Sequence, residues 1–390
     1  MNNLCAEIGW RSLNHVGEQL CGDHVEIIDT DDSSQVLVLA DGLGSGVKAS
    51  ILSTLTSKII ATMTSQGISL EECVKTIIAT LPVCKVREVA YSTFTLIRLI
   101  NNEEAEIVCY DNPDVIMFRD GKIFEYPFKE LNIEGKLIHK ARIKLKENDT
   151  FIAMSDGCIH AGVGMSLNFG WERKDIAEYM EALTEVGLTA KTLATVLTDE
   201  CLKLYGGNPG DDTTALCVRI RARQQINLMI GPPSDRNDSD KMVSLFLSKG
   251  GKRIVCGGST STMCAQYLKK PIIPNMTYFD PEIPPTADIE GIDLVTEGVI
   301  TISRVNEYAK DYIKDNESYK QWNYKQDGAA QISRMLIEEA TDINFYVGRA
   351  MNPAHQNPNL PITFNIKMQL VSELSESLQK MGKRIKVNYF

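Results

Sequence analysis

Two short apolar runs in this chain end in the same way, and that shared ending constrains the fold more than any other feature. Val36-Leu-Val-Leu-Ala runs into Asp41-Gly42, and Phe151-Ile-Ala-Met-Ser runs into Asp156-Gly157. A continuous apolar run of this length, closed by a turn pair, reads as a buried strand. A third acidic element is inverted: Gly210-Asp211-Asp212-Thr213-Thr214 leads into a strand that spans Thr213–Ile220. If that strand lies antiparallel to the other two, Asp41, Asp156 and Asp211 meet at one end of a sheet. Asp23, in Cys21-Gly22-Asp23-His24, sits in a polar turn from which it can join them.

Around these elements the first half alternates short strands and helices. A helix is expected from about Val47 to Ser65, ended by Gly67, and Ser69 with Glu72 reads as the capping box of the next one. Strand-like runs recur at Tyr91–Ile100, Ala105–Tyr110 and Val115–Arg119, with Asp120-Gly121 as a hairpin turn into Lys122–Tyr126. One helical region covers about Arg173–Tyr205. After the basic junction Arg219–Arg223 the pattern starts afresh: strand Ile226–Ile230, helix about Ser239–Ser248, strand Lys252–Cys256, then strands near Gly291–Val295, Asn344–Val347 and Arg384–Asn388 with helices between. Alternation at this spacing predicts a smaller α/β domain with a doubly wound, parallel sheet. The chain has 390 residues, so two domains are natural, and the boundary falls near residue 222: residues 1–222 and 223–390.

Composition excludes several function classes. The formal net charge is −10, which argues against a nucleic-acid binder that needs a basic stripe for phosphates. The basic runs Lys249–Arg253 and Lys380–Lys386 read as solvated helix ends. Ten cysteines form no CxxC pair and no Cys/His ladder, so neither a disulfide framework nor a zinc site is indicated. Scattered thiols fit a reducing cytoplasm. The opening MNNLCAEIGW lacks the pattern of a signal peptide, and no apolar stretch approaches the roughly 20 residues of a spanning helix. No membrane or nucleic-acid partner is therefore expected.

The carboxylates carry the chemistry. Each Asp-Gly alone is an ordinary turn pair, but in these strand contexts the set is specific. Several carboxylates brought together repel unless a cation is present. An all-oxygen ligand set selects hard ions, Mg²⁺ or Mn²⁺ over Zn²⁺. Two such ions can share a bridging water, lower its pKa and clamp a phosphoryl group in line. Glycine after Asp41 and Asp156 is expected to allow unusual backbone angles and a close carbonyl approach to the metal.

Cys-Gly-Asp23, Leu-Ala-Asp41-Gly-Leu-Gly-Ser-Gly, Ser-Asp156-Gly and Asp211-Asp212-Thr-Thr resemble the ordered motifs of the PPM-type (type 2C) protein phosphatases, in particular the bacterial branch of the stage II sporulation protein E. Asp111-Asn-Pro-Asp-Val, Phe-Arg-Asp-Gly and Leu145-Lys-Glu-Asn-Asp-Thr also fit, so the likeness covers about residues 4–220. It implies an α+β fold, an αββα sandwich of two antiparallel sheets flanked by helices, and a binuclear Mn²⁺/Mg²⁺ site that hydrolyses phosphoserine or phosphothreonine on a partner protein. Asp41 would bridge the metals, the Gly42 carbonyl would bind one, and Asp156 and Asp211 would complete the other. Asp23 would bind through water or support the site, and Asp212 would be a support or an extra ligand. Many eukaryotic members have a histidine where Leu43 stands and an arginine where Gln19 stands, which leaves the proton donor unassigned. The resemblance also implies that the helices of residues 47–81 act as a switch.

Other motifs are decoys. Gly42-x-Gly44-x-Gly46 is not G-x-G-x-x-G, and Asp41 would repel a pyrophosphate. Cys5-x5-Arg11 and Cys217-x5-Arg223 match cysteine-phosphatase spacing without a loop of amides to hold phosphate. None of the five histidines is read as having a helical i,i+4 partner, and His24 reads as a local hydrogen-bonding group. In the second half, Cys256-Gly257-Gly258-Ser259-Thr260 runs from a strand into a helix start, a place where an anionic ligand could sit or where Ser/Thr merely cap. The loop Arg349–Pro361, with Arg349 and His355, follows a strand, where open α/β sheets place ligand residues. The expected function is a cytoplasmic, metal-dependent protein phosphatase regulated through residues 223–390. The rivals are a pseudophosphatase or ligand-responsive signalling module, and a two-metal hydrolase of small phosphate esters.

Overall fold

Side chains alternate along a strand, so a run that is apolar at every position needs a layer on each face. Val36, Leu37, Val38, Leu39 and Ala40 are all fully buried, and the fold supplies both layers. The computed structural model describes residues 3–30, 34–80, 92–314, 316–350 and 366–390 and divides into two units, Met1–Ala222 and Arg223–Phe390.

The first unit contains β1 (Leu4–Leu13), β2 (Asp23–Asp29), β3 (Gln35–Gly42), α1 (Gly46–Ser65), α2 (Leu70–Thr80), β4 (Ser92–Ile100), β5 (Glu104–Tyr110), β6 (Ile116–Arg119), β7 (Lys122–Ile123), β8 (Lys129–Ile133), β9 (Lys136–Lys144), β10 (Thr150–Met154), α3 (Asp156–Ile159), α4 (Arg173–Val186), α5 (Ala190–Leu204) and β11 (Thr213–Ala222). Five strands form one sheet in the order β1-β11-β10-β6-β7, and six form another in the order β2-β3-β4-β5-β9-β8. All pairings in both are antiparallel. Leu37, Leu39, Ile97 and Ile107 of the second sheet meet Phe151, Ala153, Leu216 and Val218 of the first in one core. The alternate residues Val36, Val38 and Ala40 pack with Leu52, Ile60, Val74 and Ile77 of α1 and α2. Ile152 and Met154 pack with Ile176, Met180, Leu193 and Leu197 of α4 and α5. The result is the αββα sandwich of an α+β fold.

Local signals account for the element ends. Ser69 Oγ accepts from the Glu72 N–H at 3.3 Å at the head of α2. The helical region after Arg173 is two helices rather than one. Gly187 takes a left-handed φ of 80° that closes α4, and Thr189 caps α5 by accepting from the Thr192 N–H at 3.2 Å. The hairpin β8–β9 carries no apolar run in sequence, because charged residues alternate along a strand pair at the edge of its sheet.

The second unit contains β12 (Gln225–Ile230), α6 (Ser239–Leu247), β13 (Lys252–Cys256), α7 (Gly258–Leu268), β14 (Ile273–Pro274), β15 (Ala287–Asp288), β16 (Leu294–Thr296), α8 (Val299–Lys314), α9 (Tyr319–Trp322), α10 (Gly328–Ser333), β17 (Asp342–Val347), α11 (Ile366–Lys380) and β18 (Arg384–Tyr389). Its sheet runs β14-β15-β16-β13-β12-β17-β18. The five strands from β16 to β18 pair in parallel. Met229, Val255 and Tyr346 pack on α6 and α7, while their neighbours Leu228, Ile254 and Phe345 are fully buried as well, so both faces are covered. The sheet is not wholly parallel, however: β14 and β15 add an antiparallel edge, which their two-residue length hid in the sequence. The run Lys380–Lys386 is not simply solvated either. Lys383 is buried and its Nζ donates to the Ala340 carbonyl at 2.7 Å.

Candidate metal centre

The parity that builds the inter-sheet core also delivers the acids. Leu37 and Leu39 face the opposite sheet, so Asp41, two residues on, shares their face. Val25 faces inward with them, so Asp23 does too, and Asp23 is the register partner of Asp41. On the other sheet Phe151 and Ala153 point inward, which gives Ser155 the same side. Leu216 and Val218 do so on β11, which gives Thr214 and Asp212 that side. The apolar interlayer thus stops at the same level in both sheets and carboxylates take over. The acids do not line one sheet end: Asp23 and Asp41 come from one sheet, and Asp156, Asp211 and Asp212 from the ends of strands in the other.

Ser155 ties the halves together. Its Oγ donates to Asp23 Oδ2 at 2.7 Å and accepts from the Thr214 N–H at 2.8 Å. The His15 N–H donates to Asp212 Oδ1 at 3.0 Å. The remaining oxygens are less well served. Asp23 is 5% and Asp212 2% exposed, and Asp23 Oδ1 and Asp212 Oδ2 are buried without a hydrogen-bond partner. An unsatisfied buried carboxylate oxygen is costly.

The electrostatics agree. Burial first, then Asp23, Asp156 and Asp211, push the Asp41 carboxyl up to about 10. Asp41 and Asp156 lie within hydrogen-bonding reach of each other. Burial, with Asp212 and Asp156 behind it, raises Asp23 to about 7 against the lowering effect of its hydroxyl partners. Burial and Asp156 raise Asp211. The neighbouring charges that raise these groups are all carboxylates, so the cluster calls for a cation. Its oxygen donors fit Mg²⁺ or Mn²⁺.

The glycines act by size. Gly42 and Gly157 do not have positive φ, contrary to the expectation of unusual angles. A Cβ on Gly42 would lie 2.1 Å from the Ala49 carbonyl oxygen of α1, and one on Gly157 would lie 2.1 Å from the Asp212 carbonyl oxygen. The helix and the acidic turn approach too closely for any side chain. The Tyr205 hydroxyl also donates to the Gly157 carbonyl at 2.7 Å.

One residue was passed over in sequence. His160 does have an i,i+4 partner: it follows Asp156 by one helical turn, with Nδ1 3.8 Å from Asp156 Oδ2. Ligand-type atoms of Asp156, His160 and Asp211 all lie within 4.8 Å of one another. The spacing Asp156-x-x-x-His160 was the available signal. His24 turns to the other face of its sheet, where Nδ1 meets Ser57 Oγ of α1 at 2.8 Å.

The second unit's suspected anion cradle is partly used by the fold. Gly257, at φ 106°, precedes α7, and no side chain caps that helix. The Thr260 hydroxyl accepts from the Gly231 N–H at 2.9 Å, and Ser261 Oγ donates to the Gly257 carbonyl at 2.8 Å. Gly258 and Ser259 remain at the helix start. The Arg349 guanidinium lies over the Tyr389 ring, 5.1 Å from its centroid. His355 lies outside the described residues.

Against known proteins, residues 31–221 match the family model of stage II sporulation protein E (SpoIIE). Most of the first unit thus matches a SpoIIE-type domain. The SpoIIE match takes in Asp41, Asp156, Asp211 and Asp212 but begins after Asp23, whose place comes from the β2–β3 register. No curated protein matches the chain. Solved structures that resemble it include the PP2C phosphatase domain with a fragment of the regulatory domain of SpoIIE from Bacillus subtilis, at 22% identity and a TM-score of 0.47, covering 56% of this chain and 63% of that one. The chain thus spans less than two thirds of that relative. RsbX in complex with magnesium is 19% identical, with a TM-score of 0.39 and coverage of 56% and 97%. The catalytic domain of the serine/threonine phosphatase PstP with two manganese ions is 14% identical, with a TM-score of 0.39 and coverage of 56% and 99%. Likenesses this remote speak to neither substrate nor partner.

Proposed function

We propose that this chain hydrolyses phosphoserine or phosphothreonine on a partner protein, using two Mn²⁺ or Mg²⁺ ions held by the carboxylate cluster. The observation that carries the reading is the convergence of Asp23, Asp41, Asp156 and Asp211 on one partly buried, same-sign cluster, beside the partnerless buried oxygens of Asp23 and Asp212. Asp41, which neighbours Asp23 on its own sheet and Asp156 and Asp211 on the other, would hold both ions. The Gly42 carbonyl, Asp156 and Asp211 would be further ligands, and Asp23 and Asp212 would bind or support from the remaining side. Bound ions supply an activated water and charge neutralisation on the phosphoryl oxygens. The chain's own contribution is to hold that geometry, through Ser155 between the sheets and Tyr205 on the Gly157 carbonyl.

The test is hydrolysis of an aryl phosphate and of a bulky phosphoprotein by metal-stripped protein. Both activities should appear with Mn²⁺ or Mg²⁺ and vanish with chelator. Metal binding without any hydrolysis would favour a pseudophosphatase, and preference for the small ester would favour a small-molecule hydrolase. Either result overturns the reading. A cytoplasmic location is part of it. It is supported by the nine free thiols among the described residues, eight of them buried, and no helix among those residues is long and apolar enough to cross a membrane.

Residues 223–390 are the proposed regulatory part, with an anionic ligand at Gly257–Thr260 as its trigger. Support comes from the switch side of the first unit. Gly42 packs directly on Ala49 of α1, so a shift of that helix moves the strand end that carries Asp41. Exposed Val47, Ile51 and Leu55 form an apolar stripe along the same helix. Residues 1–222 should fold alone, since they form one of the two compact units, and should differ from the full chain in Mn²⁺ affinity or turnover by about threefold or more. Equal values, with and without phosphorylated metabolites, would remove the regulatory role.

A further inference from the structure

We propose that His160 is a direct ligand of the ion held by Asp156 and Asp211, and that it biases this position toward Mn²⁺ over Mg²⁺. The inference deepens the metal-dependent reading above and rests on it. His160 directly follows the single turn of α3 that starts at Asp156, so the two side chains leave the same face one above the other. Asp211 approaches from the turn before β11, and the three ligand atoms lie within 4.8 Å of one another. The 3.8 Å from Nδ1 to Asp156 Oδ2 is long for a hydrogen bond. It suits two atoms on one ion, because ligands at about 2.1–2.2 Å from a shared centre stand about 3–4 Å apart. Closing the rest of the triangle takes a shift of roughly an ångström, within the freedom of a half-exposed ring.

A second observation points to a cation at this place. Asp212 adjoins Asp211, is 2% exposed, and keeps Oδ2 without a donor. That oxygen lies 2.6 Å from where a Gly22 Cβ would be, on the side of Asp23, whose own Oδ1 is likewise partnerless. Asp23 feels the charges of both Asp212 and Asp156, so these partnerless oxygens belong to the same carboxylate cluster as the Asp156–His160–Asp211 group. Imidazole is a ligand for borderline metals, whereas Mg²⁺ prefers oxygen throughout and gives up water reluctantly. One nitrogen in the set therefore favours Mn²⁺.

The experiment uses the full chain, stripped of metal, as parent and as His160→Ala and His160→Glu. Mn²⁺ and Mg²⁺ affinities are measured by calorimetry, and the Mn²⁺ forms by pulsed electron paramagnetic resonance. The parent should show ¹⁴N modulation from a directly bound imidazole, and both variants should lose it. His160→Ala should weaken Mn²⁺ by about tenfold or more and Mg²⁺ by less than about threefold. His160→Glu, which restores an all-oxygen set, should shift the Mn²⁺/Mg²⁺ ratio toward Mg²⁺. Unchanged ¹⁴N modulation, or equal loss for both metals, overturns the role of His160 while leaving the aspartate site standing. A parent that binds neither metal overturns both. His160 is half-exposed, so misfolding is not expected, and matching melting curves of the metal-free proteins check this.

Discussion

Asp41→Asn is expected to lose at least about a hundredfold in turnover with Mn²⁺ present, while its metal-free form melts at a higher temperature than the parent. The two effects have one cause. Asp41 is held against Asp23, Asp156 and Asp211 in a buried site, a geometry suited to cations and hostile to bare carboxylates. Asparagine removes a metal ligand and the charge that would bridge the ions. In the metal-free chain its amide donates toward Asp156 without the proton that Asp41 must take up to do the same. The folded-state values of Asp41 and Asp23 are raised, to about 10 and about 7, above the unfolded value of about 4. Their contribution to stability is therefore complete below about pH 4 and is lost as pH rises, through about 7 for Asp23 and about 10 for Asp41. The comparison belongs at pH 8, where the parent has lost much of it. A gain of about 1 kcal/mol corresponds to about 2–4 °C in a unit of this size. Full turnover in the variant, or a lower melting temperature without metal, would count against the cluster as the seat of catalysis.

Gly157→Ala is expected to cost about 2–3 kcal/mol, the range for forcing atoms into a closed space, or about 5–10 °C in melting temperature. It should also cost more than tenfold in turnover. The added Cβ would stand 2.1 Å from the Asp212 carbonyl oxygen and 2.7 Å from Thr213 Oγ1. Both belong to the segment that presents Asp211 and Asp212; the first is backbone, and the Thr213 hydroxyl is held by donating to the Asp211 carbonyl at 3.0 Å. Relief requires α3 and the start of β11 to separate, which parts Asp156 from Asp211. Gly258→Ala is the control: no heavy atom lies within 4 Å of its Cβ and its φ is not positive, so its melting temperature should stay within about 1 °C of the parent. A tolerated Gly157→Ala would show that the acidic turn is freer than its packing indicates.

Much of this site was legible because its signals are local. An apolar run that stops at an acid marks a strand that leaves the core, and Asp41 and Asp156 both announce themselves that way. The helix after Asp41, the capping pair Ser69 and Glu72, and the fresh βα pattern after Arg223 likewise depend on near neighbours along the chain. The edge hairpin at residues 129–144 gave no such signal, since one solvated face dilutes its apolar residues with Lys, Glu and His.

The sequence by itself determined which residues are acids at strand ends, and hence the chemistry of the donors. Only the tertiary structure decided how they meet. Asp23 and Asp41 come from one sheet and Asp156, Asp211 and Asp212 from the other, a pairing across the sandwich that no stretch of chain encodes alone. Close approach also had to be seen: Gly42 and Gly157 are small because Ala49 and Asp212 press on them from distant segments, not because their own angles demand it. His160 comes beside Asp156 and Asp211 for a related reason. A single helical turn at Asp156 is too short to read from periodicity, yet it aligns the imidazole with two carboxylates. Local patterning fixes residue type and strand parity; mutual distance depends on sheet pairing and layer packing, which are properties of the whole fold.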